Sequence, residues 1–176
     1  MYSGGCCDKE DNLFMMCRDT EHPVVMLDAR GNYVKNFGKG LFQEMHSLCV
    51  TEEDTLLCVD TGLHVVRELT KDGEWIRDLG NLGVPSDSGF EKDVWRRMQR
   101  RGKIVPTDVA FDKGWSFWAG VQTIRRAAPP FNRPTGVCMG PKGDIFVSDG
   151  YGNAAVHRFS KDGTLLRTWG GPGDEP

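Results

Sequence analysis

Three stretches of the 176-residue chain repeat one another, and that repetition limits the fold more than any other property. "VVMLDARGNYVKNFGKG" begins at Val24, "VVRELTKDGEWIRDLGNLG" at Val65 and "AVHRFSKDGTLLRTWGGPG" at Ala155. Each holds two apolar runs around a turn whose glycine (Gly31, Gly73 or Gly163) suits the positive φ of a tight hairpin. The first two turn glycines are 42 residues apart, and the next interval is 90 residues, one period plus an insertion of 48.

A further strand precedes each hairpin: "NLFMMC" (Asn12–Cys17), "TLLCVD" (Thr55–Asp60) and "DIFVSD" (Asp144–Asp149). Before that lies a short run, "SGGCC" from Ser3, "HSLCV" from His46 and "TGVCM" from Thr135. Four strands in a period of about 40 residues is the signature of a β-propeller blade. A β-sandwich also has short, evenly spaced strands, but it gives no reason for a motif at fixed period. The expectation is an all-β chain forming one partial β-propeller domain. Its three four-stranded blades span about 3–40, 43–83 and 132–171, with an insertion over 84–131.

The abundance of glycine, 22 residues set mostly between apolar runs, agrees with many strands joined by turns. A net charge of −3 gives the chain no electrostatic reason to seek nucleic acid. No apolar run approaches the ~18 residues of a membrane span. The opening "MYSGGCCDKE" has neither the basic nor the apolar region of a signal peptide, which makes the cytoplasm the default expectation. The six cysteines form no C-x-x-C pair, and Cys17, Cys49, Cys58 and Cys138 fall inside predicted strands, so reduced structural thiols are expected.

Within the insertion, Ser88 followed by Glu91 suggests a capping box, and Phe90, Val94 and Met98 share one helical face. Asp93 and Arg97 can pair along it, and Gly102 can end it, so a helix is predicted over Gly89–Arg101. Downstream, "PTDVAFDKGWSFWAG" echoes the inner strands of a blade. Trp115, Phe117 and Trp118 there are bulky enough to cover an apolar surface. The basic run Arg96, Arg97, Arg100, Arg101 and Lys103 reads as a solvated face.

The repeats resemble NHL repeats. The unit "FNRPTGVCMGPKGDIFVSDGYGNAAVHRFSKDGTLLRTWG" is most similar to the lyase domain of peptidylglycine α-amidating monooxygenase and its bacterial relatives. That resemblance implies a six-bladed ring, of which three blades are half. It also implies cleavage of peptidyl-α-hydroxyglycine to a peptide amide and glyoxylate. In the family, three histidines from three blades bind zinc, calcium lies nearby, and a tyrosine and an arginine are catalytic. Carried onto this sequence, His46 falls on a zinc histidine and Leu48 on a residue whose backbone carbonyl serves calcium. Tyr151 falls on the catalytic tyrosine and Arg18 on the arginine. Thr135, the equivalent of His46 in the third repeat, is threonine in the family as well. The other two zinc histidines belong to later blades of the family.

Propeller topology puts Arg18, His22, His46, His64 and Tyr151 on one rim. The turn bearing Tyr151 is one residue longer than its counterpart, with 14 residues from Asp149 to Gly163 against 13 from Asp60 to Gly73. Asp149 and Asn153 are expected to brace it by side-chain hydrogen bonds, and His22, His64 and Asn153 are further candidate binding residues. With a single histidine at an inner-strand mouth, the sequence favours a module that binds a peptide or protein. The alternative is a metal-dependent lyase-like enzyme. Three wedge-shaped blades leave two open faces, so a homodimer completing the ring is expected, sealed by the insertion.

Overall fold

A computed structural model describes residues 2–92, 94 and 113–173. The alternation of apolar and polar residues produces three four-stranded antiparallel sheets, each in chain order. The first holds β1 (Tyr2–Cys7), β2 (Leu13–Cys17), β3 (Val24–Leu27) and β4 (Tyr33–Phe37). The second holds β5 (Met45–Val50), β6 (Leu56–Asp60), β7 (Val65–Leu69) and β8 (Trp75–Gly80). The third holds β9 (Gly136–Met139), β10 (Ile145–Asp149), β11 (Ala155–Phe159) and β12 (Leu165–Gly170). The hairpins between third and fourth strands turn at Gly31, Gly73 and Gly163 with φ of 83°, 92° and 89°, a region that only glycine enters freely.

The sheets stack in sequence, with β1 beside β5 and β5 beside β9. Period-two alternation then decides which residues meet. Leu56 and Cys58 of β6 join Phe14, Met16 and Val24 in one core. Leu57 and Val59 of the same strand join Phe131, Ile145, Val147 and Phe159 in a second. A sheet with a neighbour on both faces buries both sides of its central strands, and every residue of β6 and β7 is buried, the charged Arg67 and Glu68 being paired with Asp78 and Arg77. In β2 and β10, which have such a neighbour on one face, buried and partly exposed positions alternate.

The insertion differs from its sequence reading. Gly89–Glu91 are not helical and Lys92 lies in a turn, and of the rest of the predicted helix Gly89–Arg101 only Val94 is described, as helical and buried. Asp93, Arg97, Met98, Gly102 and the basic run lie outside the described residues. Ser88 does more than cap. Fully buried, it donates its hydroxyl to the carbonyl of Gly152, tying the insertion to the third sheet. The strand-like echo is also overturned, because Lys113–Val121 form a helix, α1. Gly120 explains its seat: a Cβ there would lie 2.9 Å from the Phe90 ring, so only glycine lets α1 approach so closely. All six cysteines are free, and burial pushes the Cys49 thiol up to about 12, which leaves it inert. Among the described residues no helix is long and apolar enough to cross a membrane.

Candidate functional site

The site is held by two aspartates at equivalent strand ends. Asp60, fully buried at the end of β6, accepts hydrogen bonds from the backbone N–H groups of Gln43, Glu44, Gly62 and Leu63 at 2.6–3.1 Å. One carboxylate thereby clamps the chain entering β5 to the turn leaving β6. Asp149 repeats the device, accepting from the Asn132 N–H at 2.7 Å and the Asn153 side chain at 2.8 Å. Asn153 is 1% exposed and also pairs with both backbone groups of Ala128, so it braces the turn. The first sheet has Cys17 at the corresponding position and no such clamp.

These clamps bring His46, at the start of β5, against Tyr151, in the turn after β10. His46 Nε2 lies 3.0 Å from the Tyr151 hydroxyl, and the rings meet edge-to-face at 5.1 Å. Phe117 of α1 packs edge-on against the other side of Tyr151, also at 5.1 Å. Phe117 thus takes the covering role expected of the aromatic cluster, while Trp118 points outward at 63% exposure. Gly152 is required beside the tyrosine, since a Cβ there would come 2.3 Å from Asn132 Oδ1.

Around the rim from this pair, Arg133 reaches Glu44 with one guanidinium nitrogen, at 3.1 and 2.9 Å to the two carboxylate oxygens. Its backbone N–H donates to His64 Nδ1 at 3.0 Å. Arg18 is exposed on its loop, close enough for its charge to act on His46. His22 is not drawn into the group: 55% exposed, it pairs with Asp19 of its own loop. Leu48 is buried within β5, opposite Cys58. Sequence reasoning missed Arg133 and Glu44, whose meeting depends on a fold contact across 89 residues. It also missed His157, fully buried between Thr168 and Asp149, for which the inward register of β11 was the available signal.

Burial lowers the pKa of His46, and the nearby Arg18 charge adds to this against an opposing hydrogen bond with the Thr135 backbone. Burial and the Arg133 charge lower His64 in the same way. Both imidazoles are therefore neutral at neutral pH. A histidine depressed in the folded state contributes stability fully above its unfolded pKa of about 6.5 and loses it as pH falls through the lower folded value. Urea midpoints are expected to drop on acidification below about pH 6.5, and less steeply in His46→Gln and His64→Gln. Identical slopes in the variants and the parent would overturn this assignment.

The donors do not fit the metals that the resemblance implies. Catalytic zinc takes three protein ligands. Among the described residues the one group of three carboxylate, histidine or cysteine ligands close enough to share an ion is Asp8, Glu10 and Asp54, and His46 is not in it. Lys71 already fills that group, bonded to all three. Burial alone would raise the Asp8 carboxyl, but hydrogen bonds from Asn12 and Lys71 outweigh it and hold it at about 2.

Sheets stacked about inner strands, with polar groups gathered on the rim, define β-propeller blades. The chain carries an NHL repeat: the family model of that description matches residues 131–159. It is distantly similar to the amidating lyases. It is 27% identical over 151 residues to peptidyl-alpha-hydroxyglycine alpha-amidating lyase 1 of Drosophila melanogaster, covering 85% of this chain and 21% of that protein. It is 26% identical over 155 residues to peptidyl-glycine alpha-amidating monooxygenase A of Xenopus laevis, covering 80% of this chain and 15% of that protein. The chain thus spans about a fifth or less of the length of these curated relatives. Among solved structures, a catalytically inactive virginiamycin B lyase from Staphylococcus aureus with quinupristin superposes with a TM-score of 0.58 at 12% identity, over 98% of this chain and 42% of that one. A chain of a nidogen/laminin complex gives 0.60 at 13% identity, over 97% of this chain and 50% of that one. At these identities the likeness is one of fold.

Proposed function

We propose that the chain is an NHL-repeat β-propeller module that binds a peptide or protein partner on the rim formed by Arg18, His46, His64 and Tyr151. The observation that carries this reading is the convergence of the His46–Tyr151 pair, Phe117 and the Arg133–Glu44 pair on one rim. An aromatic and charged rim on rigid strands is the composition of a recognition surface. The test is binding of a defined peptide library to the purified chain. Peptides that bind are expected to lose at least about tenfold in affinity to Tyr151→Ala or His46→Ala, the scale of a single buried aromatic anchor. Affinities unchanged in both variants would remove the rim from the reading.

The His46–Tyr151 contact also supports a second reading, a lyase-like C–N cleavage of the kind that names the Drosophila relative. In it the Tyr151 oxygen takes the proton of the substrate hydroxyl while passing its own to neutral His46 Nε2. The C–N bond then breaks, releasing glyoxylate, and the proton held by the His46–Tyr151 pair passes to the departing nitrogen to give the primary amide. The expected signature is glyoxylate release from an α-hydroxyglycine peptide that Tyr151→Phe abolishes. Release unaffected by that change would eliminate the lyase reading and leave the binding reading standing.

A further inference from the structure

Beside the His46–Tyr151 pair the rim holds a second feature. A cavity of about 190 Å³ opens beside the Arg133–His64 contact, lined by Glu44, His64, Pro85, Phe90, Lys92 and Arg133 among others. Its two central residues are both in the left-handed backbone region, His64 at φ 59° and Arg133 at φ 64°. Side chains other than glycine enter that region at a cost, and such strain gathers where a site needs its groups aimed. Here it points two cationic-type side chains at one space.

The donors and acceptors in that space do not balance. His64 Nδ1 accepts the Arg133 backbone N–H, which leaves the ring proton of neutral His64 on Nε2, where it is a free donor. Arg133 Nε is buried without a hydrogen-bond partner. Lys92 lines the cavity and forms no ion pair among the described residues. The lone acid, Glu44, is engaged by Arg133. The cavity therefore has unspent donors on His64 Nε2 and Lys92, and its lining carries one net positive unit from Arg133, Lys92 and Glu44, while Asp60 and Asp149, whose charges also reach His64, are already held by N–H groups of Gln43, Glu44, Gly62, Leu63, Asn132 and Asn153. One anionic acceptor group of single charge would complete it, whereas a doubly charged phosphate would sit against Glu44 with charge left over.

We propose that the Arg133–His64 cavity is a binding site for a carboxylate monoanion, with Phe90 and Pro85 forming the apolar wall beside it. Arg133 and Lys92 supply the charge, and His64 orients the carboxylate through Nε2–H. This deepens the reading of the rim as a recognition surface and rests on it. The carboxylate could be a chain terminus or an acidic side chain, and the two are distinguished by the probe.

The experiment is an NMR titration of the whole chain with N-acetylglycine, with acetyl-aspartyl amide and with inorganic phosphate, following the amides of residues 62–64 and 132–133. One of the two carboxylates is expected to bind there, and whichever binds tighter identifies the source. Arg133→Gln is expected to weaken it at least about tenfold, as loss of a charge-assisted contact does. Lys92→Gln, on an exposed residue that does not hold the fold, is expected to weaken it several-fold. Glu44→Gln is expected to tighten it, because the competing acid is gone. A purely structural Arg133–Glu44 pair would instead make Glu44→Gln destabilise the fold without any gain in affinity. The proposal is overturned if neither carboxylate shifts these amides, if phosphate binds more tightly than both, or if Glu44→Gln leaves carboxylate affinity unchanged or lower. Peptides that bind at His46 and Tyr151 while these amides stay still would defeat the cavity and leave the rim reading intact.

Discussion

Asp60→Ala is expected to destabilise the chain by about 3–5 kcal/mol, the range for removing one partner from a buried charged arrangement. Four backbone N–H groups converge on that carboxylate, from Gln43, Glu44, Gly62 and Leu63. Alanine offers none of them an acceptor, and each buried orphan costs about 1–3 kcal/mol, though not additively. Asp60→Asn keeps one acceptor oxygen and should cost roughly half as much. Asp19→Ala, on an exposed loop where the carboxylate bonds only its own neighbours, should leave the urea midpoint almost unchanged. Urea denaturation followed by circular dichroism measures all three. A loss below about 1 kcal/mol for Asp60→Ala would mean that water replaces the carboxylate and the clamp is not structural.

Self-association is the second large effect. The same alternation that buries Phe14, Met16 and Val24 turns Leu13, Met15, Val25 and Leu27 to the opposite face of the first sheet. On the third sheet, Phe146 and Trp169 stack at 6.4 Å on the corresponding open face, with Arg158 over one ring and Arg167 over the other. We propose that a second copy of this chain occupies these faces, the first sheet of each copy against the third sheet of the other. Blade faces pack on blade faces throughout the interior, and one such contact already exists on each side of the middle sheet. Two contacts related by a two-fold axis would bury more than ~2,000 Å² in all, the range of obligate dimers. Light scattering of the 176-residue chain is expected to give twice its 19.7 kDa. Phe146→Asp with Leu13→Asp should return it to monomer or to aggregate. A soluble monomer of the parent chain would defeat the dimer, and would leave these faces to further blades of a longer polypeptide. The described part of the insertion is tied through Ser88 to Gly152 on the rim.

Much of the fold was legible because its signals are local. A hairpin glycine needs positive φ whatever surrounds it, and strand alternation follows from the pleat, so the recurrence from Val24, Val65 and Ala155 announced the blades. Asp149 and Asn153 could be read as braces for the same reason, since they bond within their own turn and the strand beside it. The insertion was misread where local signals were ambiguous. Ser88 and Glu91 have the spacing of a capping box, yet no helix follows directly: the buried hydroxyl accepts the Phe90 N–H and donates to the Gly152 carbonyl, holding a turn against the third sheet. "KGWSFWAGV" has apolar residues that suit a strand or a helix, and contact with Phe90 through Gly120 selected the helix.

By itself the sequence determined a period, a strand count, the turns and the alternation of faces, because each depends on residues a few positions apart. It also placed His46 and Tyr151 on one rim, through the repeat. Only the tertiary structure decided that the two touch at 3.0 Å, that His22 stays with Asp19, and that Arg133 meets both His64 and Glu44. Apart from the local His22–Asp19 pair, those contacts join residues 69 to 105 positions apart in the chain. Their geometry is set by how three blades stack and by two buried carboxylates that gather backbone N–H groups, and no local pattern encodes that sum.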